Sequence, residues 1–235
     1  MSEIKKKTLL SWSSGKDSAW ALYSLQKSLD FEVVGLFTTI NQKYDRVAMH
    51  STRVKLLKKQ AEAVDLPIHI IQLPDPCSNE QYETIMKQFI SDVVPKEIKC
   101  MAFGDLFLTD VRQYRENQLN ATGIEPIFPL WGISTKELSE QMLSLGLETY
   151  ISCVDLKKLP KDFAGRLWSK ELITELPENC DVCGENGEFH TVVVNGPMFT
   201  KRIPVSIGEI VEKEFVAFAD IIPINLEVYK NENFV

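Results

Sequence analysis

The 235-residue chain has no apolar run approaching the roughly 20 residues that carry a helix across a bilayer, so no membrane span is expected. Its first residues, "MSEIKKKTLLSW", set lysines before a short apolar stretch, yet that stretch runs at once into "SSGKDS" without a small-residue cleavage site. A secretory leader is therefore not expected. Cysteine is scarce and odd in number: Cys77, Cys100, Cys153, Cys180 and Cys183 are scattered, which excludes a dense disulfide framework and fits reduced thiols in a cytoplasm. Positive charge is in deficit, 26 Lys and Arg against 33 Asp and Glu for a net −7. Nonspecific attraction to nucleic acid is thus not expected to be the main activity. Internal repeats, low-complexity segments and a flexible linker are also missing. What remains is the composition of an ordinary globular protein, 44% hydrophobic and 25% charged, long enough for one large domain or two small ones.

Over the first half, short β-rich runs alternate with stretches of helical spacing. The runs are "TLLSW" (8–12), "EVVGLFTT" (32–39), "IHIIQL" (68–73) and "IKCMAFGD" (98–105). Between them Ala19, Leu22, Leu25 and Leu29 share one helical face, and Leu57, Ala61 and Val64 another. The alternation predicts an α/β fold, a parallel sheet with helices on both faces, whose ligands sit beyond the carboxyl ends of the strands. After residue 128 the rhythm changes. "ISTKELSEQMLSLG" reads as a helix with Ser134 as N-cap, Glu137 as capping-box partner and Gly146 as its stop. "RLWSKELITEL", "FHTVVVNG" and a strand-rich tail follow. The expected organisation is a nucleotide-binding domain over 1–128 and a smaller α+β domain over 129–235.

"SSGKDS" lies at the end of the first predicted strand and opens the first helix. A helix N-terminus presents unpaired N–H groups and the positive end of the helix dipole, an anion site. Gly15 allows close backbone approach, Ser13, Ser14 and Ser18 offer hydroxyls, and Lys16 adds a point charge. The segment is built to hold phosphate oxygens. It lacks the spacing of a Walker A loop. It resembles the S-G-G-K-D-S pyrophosphate loop (PP-loop) of the ATP pyrophosphatase superfamily, adenine nucleotide alpha hydrolase-like folds of HUP type. Ser14 stands where the first glycine is common. The resemblance implies that ATP is cleaved between its α- and β-phosphates to give an adenylated substrate, and Asp17 suits Mg²⁺ bridging phosphate oxygens.

A second constellation is "CDVCGENGEFHTVVVNGPMF" (180–199), in which Gly184 and Gly187 bracket Glu185 and Asn186, and Glu188 and His190 open a predicted strand on one face. Together, "SSGKDS" and "CGENGEFHT" resemble the diphthine-ammonia ligase family. So do "MHSTRVKLLKKQAEAVDLPI" (49–68), "FGDLFLTDVRQYRENQLNATGIEPIFPLW" (103–131) and "GLETYISCVDLKKLPKDFAGRLW" (146–168). The loop reads E-N-G-E-F-H where those ligases more often have E-G-G-E-F-E. The resemblance implies an ATP-dependent ligase that adenylates a carboxylate and transfers it to ammonia. The family substrate, diphthine on elongation factor two, carries a trimethylammonium beside its carboxylate, for which Phe189, Trp131 and Trp168 are aromatic candidates. On this reading Lys16, Asp17 and Asp105 are catalytic and Asp17 holds the metal. ATP is bound by Ser13, Ser14, Gly15, Lys16, Asp17, Ser18, Thr38, His50 and Gly104. The substrate is bound by Asp105, Glu185, Asn186, Gly187, Glu188 and His190. ATP, ammonia and the diphthine-bearing factor are the expected partners, with no membrane and no stable nucleic acid, and a homo-oligomer stays open.

Other features admit two readings. Gly104 and Asp105 fall where a fourth strand ends, at the edge of the site or in a simple turn. In "TDVRQYRE", Asp110, Arg112, Tyr114, Arg115 and Glu116 fit either anion contact or a solvated helix face. Arg53 begins a helix beside His50. Cys180 and Cys183 form a C-x2-C pair that, with His190, lacks a convincing fourth zinc ligand unless Cys153 or Cys100 folds in. His69 reads as a core or strand-edge residue. Competing functions are a PP-loop ATPase acting on a small carboxylate metabolite or tRNA, and a nucleotide-binding sensor without chemistry.

Overall fold

The computed structural model describes residues 4–47 and 52–224. The chain runs β1 (Lys6–Ser11), α1 (Lys16–Gln26), β2 (Phe31–Asn41), β3 (Arg46–Val47), α2 (Val54–Ala63), β4 (Ile68–Leu73), α3 (Asn79–Val93), β5 (Cys100–Ala102), α4 (Thr109–Leu119) and β6 (Glu125–Ile127). It continues with α5 (Thr135–Ser144), β7 (Glu148–Asp155), α6 (Lys170–Glu175), β8 (Phe189–Asn195), β9 (Val205–Lys213) and β10 (Val216–Pro223). The first sheet has the order β3-β2-β1-β5-β6, with β4 also on β2, and is parallel except for β3. The second is antiparallel, in the order β8-β7-β10-β9. This is the α/β architecture of the PP-loop class with a separate antiparallel sheet.

Strand alternation explains why both faces of the first sheet are covered. Leu9, Phe37 and Met101 point to one side and pack with Phe89, Ile90 and Leu119 from α3 and α4. Their neighbours Leu10, Leu36 and Ala102 point to the other and pack with Leu22, Leu56 and Leu57 from α1 and α2. That second cluster continues without a break into Val154, Trp168, Val192 and Val194 of the second sheet and its flank. One apolar core therefore joins the two sheets.

Several local expectations are adjusted. The fourth run forms a strand only over Cys100–Ala102, so Phe103, Gly104 and Asp105 belong to the β5–α4 loop. α1 ends at Gln26, and Leu29 lies beyond it, exposed rather than on the buried face. In α5 the Ser134 hydroxyl accepts from the Glu137 amide at 3.2 Å, while the Glu137 carboxylate accepts from Gln141 instead of closing the box. Gly146, past the helix end, has φ +76°. His69 sits on β4 beside the Phe89 ring.

Candidate functional site

The phosphate-loop segment folds as the bend between β1 and α1. Ser14 takes φ +75°, the left-handed conformation that a glycine would adopt without strain. Its carbonyl accepts from the Val193 amide at 2.9 Å and from Gln60 Nε2 at 3.1 Å. Gln60, fully buried, also donates to the Val193 carbonyl and accepts from Trp12 Nε1, so one side chain ties the loop to α2 and β8. The Lys16 amide donates to Thr191 Oγ1 at 3.1 Å. Ser13 and Ser18 are hydroxyl partners at 3.2 Å. Among the described residues the Asp17 and Ser18 amides have no backbone partner, which leaves donors at the helix start for an anion.

Gly104 shows why the β5–α4 loop needs a glycine there. A Cβ at this position would lie 2.9 Å from the Asp17 carbonyl carbon and 3.0 Å from the Ser18 nitrogen. The loop backbone presses on the first turn of α1 and brings Asp105 beside Asp17. Across from it, the loop after α6 is shaped by its own carboxylates. Asp181 Oδ1 accepts from the Cys183 and Glu185 amides, and Oδ2 accepts from Thr135 Oγ1. Glu188, buried, accepts from the Asp181 amide at 3.0 Å, the Asn186 amide at 2.9 Å and Asn186 Nδ2 at 3.2 Å. Gly184 and Gly187 supply φ of +75° and +80° for the turns.

These three segments enclose a cavity of about 550 Å³. Of the expected site residues, Ser13, Lys16, Asp17 and Ser18 line it from the phosphate loop, Gly104 and Asp105 from the β5–α4 loop. Glu185, Asn186 and Gly187 line it from the loop before β8, and His190 from β8 itself. Ser14, Gly15, Thr38 and Glu188 are not among the lining residues. Thr38 is buried in β2 opposite Ile70. Glu188 precedes β8 and folds back into its own turn, so it does not share a cavity face with His190. His50 lies outside the described residues. Arg53 pairs with Asp220 of β10. Phe189 touches the cavity, but Trp168 is a core residue whose indole donates to the Val182 carbonyl. Trp131 lies under the Arg112 guanidinium, 4.7 Å away. Arg112 also pairs with Glu116, Asp110 is exposed, and the Tyr114 hydroxyl accepts from Gln118.

Electrostatically, the centre is Lys16. It is 3% exposed, with Nζ 2.8 and 2.9 Å from the two Asp17 oxygens and 3.2 Å from Glu185 Oε1. Burial opposes its charge, but the surrounding negative groups, Asp17 foremost, outweigh it and its pKa is raised. Burial first, and the like charge of Asp17 second, push Glu185 up to about 7. Burial likewise raises Asp105, against the pull of Arg115. Burial, then Lys16, lowers His190, which leaves its imidazole neutral at pH 7. The Cys183 thiol is pushed by burial to about 12 and Cys180 to about 11, so neither is a ready thiolate. Among the described residues no three His, Cys, Asp or Glu side chains gather as a metal-binding group, and all five cysteines are free.

Arg115 belongs to this site although residue spacing alone does not set it apart from its neighbours. It lines the cavity from α4, 3.9 Å from Asp105. Nor does spacing set apart Asp181, Thr135, Thr191 or Gln60. Each acts through a long-range hydrogen bond, which residue spacing does not reveal.

Comparison with known proteins adds independent support. A family model for the diphthamide synthase N-terminal domain matches residues 6–126, and one for the diphthamide synthase C-terminal domain matches 134–226. The chain is 25% identical over 219 residues to a diphthine–ammonia ligase of Schizosaccharomyces pombe, covering 85% of this chain and 36% of that protein. It is 25% identical over 177 residues to a Homo sapiens protein of the same name, covering 68% and 66%, and 26% identical over 151 residues to one of Bos taurus, covering 62% and 56%. The chain thus spans between 36% and 66% of the length of these relatives.

Proposed function

The chain belongs to the diphthamide synthase family, and from that premise we propose that it is an ATP-dependent ligase joining a carboxylate to ammonia, with release of AMP and pyrophosphate. The observation that carries this reading is Lys16, buried at a helix N-terminus between two carboxylates and facing a cavity walled by both sheets. In this reading the first-turn amides, the Ser13 and Ser18 hydroxyls and Lys16 bind the β- and γ-phosphates. Lys16 leaves Glu185 for the phosphate oxygens and stabilises charge on the departing pyrophosphate. An oxygen of the acceptor carboxylate bonds to the α-phosphorus as the bond to the β-phosphate bridge breaks. Ammonia then attacks the acyl carbon, AMP leaves, and one proton from the nitrogen is released. Enclosure of the reactants between the loops protects the intermediate from water.

Asp17 and Asp105, hard oxygen donors brought to one side of the cavity by the Gly104 contact, are the residues that would hold Mg²⁺. When bound, Mg²⁺ supplies charge neutralisation on the triphosphate. The proposed acceptor is diphthine on elongation factor two, and the proposed ammonia source is free ammonium. The proposed domain boundary is 128/129 and the proposed setting cytoplasmic, which the five free cysteines suit. Among the described residues no helix is long and apolar enough to cross a membrane.

The test is incubation with ATP, Mg²⁺ and ammonium, with and without the diphthine-bearing factor, following AMP and the intact mass of the factor. Factor-dependent AMP with an acid-to-amide mass change is expected. ATP binding without AMP under these conditions refutes the diphthine ligase reading and favours a sensor or another acceptor. Lys16→Ala should lower AMP formation by about a hundredfold or more with an unchanged circular dichroism spectrum. Retained turnover would remove the loop from the chemistry.

A further inference from the structure

The cavity carries more negative than positive charge. Asp17, Asp105 and Glu185 face it, and among the described residues its two permanent cations are Lys16 and Arg115. Lys16 stands at the phosphate loop, held by Asp17 and Glu185. A carboxylate entering as an anion meets repulsion in such a site unless a second cation receives it.

Arg115 is placed to do so. Its guanidinium lies 5.0 Å over the Phe103 ring and 5.9 Å over Tyr114, aromatic contacts that fix its plane. Asp105 is near enough to orient it, but the 3.9 Å separation is beyond hydrogen-bond reach. Arg115 Nε and Asp105 Oδ2 are both buried, and neither has a hydrogen-bond partner. A buried donor left unpaired is costly, and at a cavity wall it points to a ligand that completes it. Phosphate is already served by the other wall, with its amides, hydroxyls and Lys16.

We propose that Arg115 receives the carboxylate of the acceptor through paired N–H donors, on the wall supplied by α4, and presents one of its oxygens to the α-phosphorus. The proposal rests on the ligase reading above. Arg115 exchanges no proton in the step: the carboxylate oxygen forms the new bond to phosphorus, and the electron pair of the broken bond leaves with pyrophosphate.

Arg115→Met keeps the apolar stem and removes the donors. It should raise KM for the diphthine-bearing factor about 10- to 100-fold, while KM for ATP moves by less than about threefold. Arg115→Lys keeps the charge without the fork and should fall between. A rise in KM for ATP alone would assign Arg115 to a phosphate and overturn the proposal, as would no change in either. A fall in thermal stability with both KM values raised together would mark a structural role and overturn it too.

A second measurement does not depend on turnover. The nitrogen-15 resonance of Arg115 Nε, identified by its loss in Arg115→Lys, is followed with an ATP analogue bound whose α–β bridge is methylene. Glycine betaine should shift it saturably, and choline, which has no carboxylate, should not. That result supports the seat even where the wild type leaves the factor unmodified, an outcome that refutes the ligase reading alone. No shift with betaine, or an equal shift with choline, overturns the seat.

Discussion

Ser14 holds the bend of the phosphate loop at φ +75°, and its hydroxyl is buried without a hydrogen-bond partner. Both features cost stability, the left-handed backbone about 1–2 kcal/mol for an L-residue and the orphaned hydroxyl about 1–3 kcal/mol. Glycine avoids both and gives back part of the gain through a more flexible unfolded chain. Ser14→Gly should therefore stabilise the protein by about 1 kcal/mol, read as a higher midpoint in urea. A lower midpoint would mean that the hydroxyl has a partner in solution. The position was legible in the sequence because it interrupts a familiar loop. Its φ value follows from the turn rather than from serine, whose intrinsic preference is overridden by the bonds from Val193 and Gln60 to its carbonyl.

At the scale of elements, the close fit between the β5–α4 loop and the first turn of α1 sets the distance between the two walls. Gly104→Ala would force a methyl group into the Asp17 backbone. The expected cost is about 1–3 kcal/mol, with weaker ATP binding in calorimetry as Asp105 and the first turn of α1 are pushed apart. Unchanged ATP affinity would show that the loop can shift freely. The alternating strands and the two loops were readable because each is local: a β run, a glycine pair, a helix start. β5 ends before Phe103, which is as apolar as a strand residue but turns into the cluster of Leu9 and Met101 beside Phe37 and Phe128. The stretch of helical spacing between the third and fourth runs is α3, with Met86, Phe89, Ile90 and Val93 all buried. β7 was not read as a strand, although Ile151, Ser152, Cys153 and Val154 are all buried in it. Glu188 looked like a substrate ligand because spacing gives a direction only within a strand, and the strand begins one residue later.

For the whole molecule, the apolar cluster running from Leu10 and Leu22 to Val154 and Val192 leaves no seam at which the two sheets could melt separately. A single cooperative transition is expected in calorimetry, with calorimetric and van't Hoff enthalpies equal. Two resolved peaks would show that the halves are energetically independent. The polar bonds point the same way, since Thr191 and Val193 of β8 hold the Lys16 amide and the Ser14 carbonyl. The turn proposed to grip phosphate is thus finished by a strand from the other half of the chain. For inheritance this means that the two halves are not interchangeable parts. A C-terminal half recruited to bring a new acceptor would also have to bring a hydroxyl at position 191 and an edge that meets Ser14, or the proposed ATP site would be lost with the exchange.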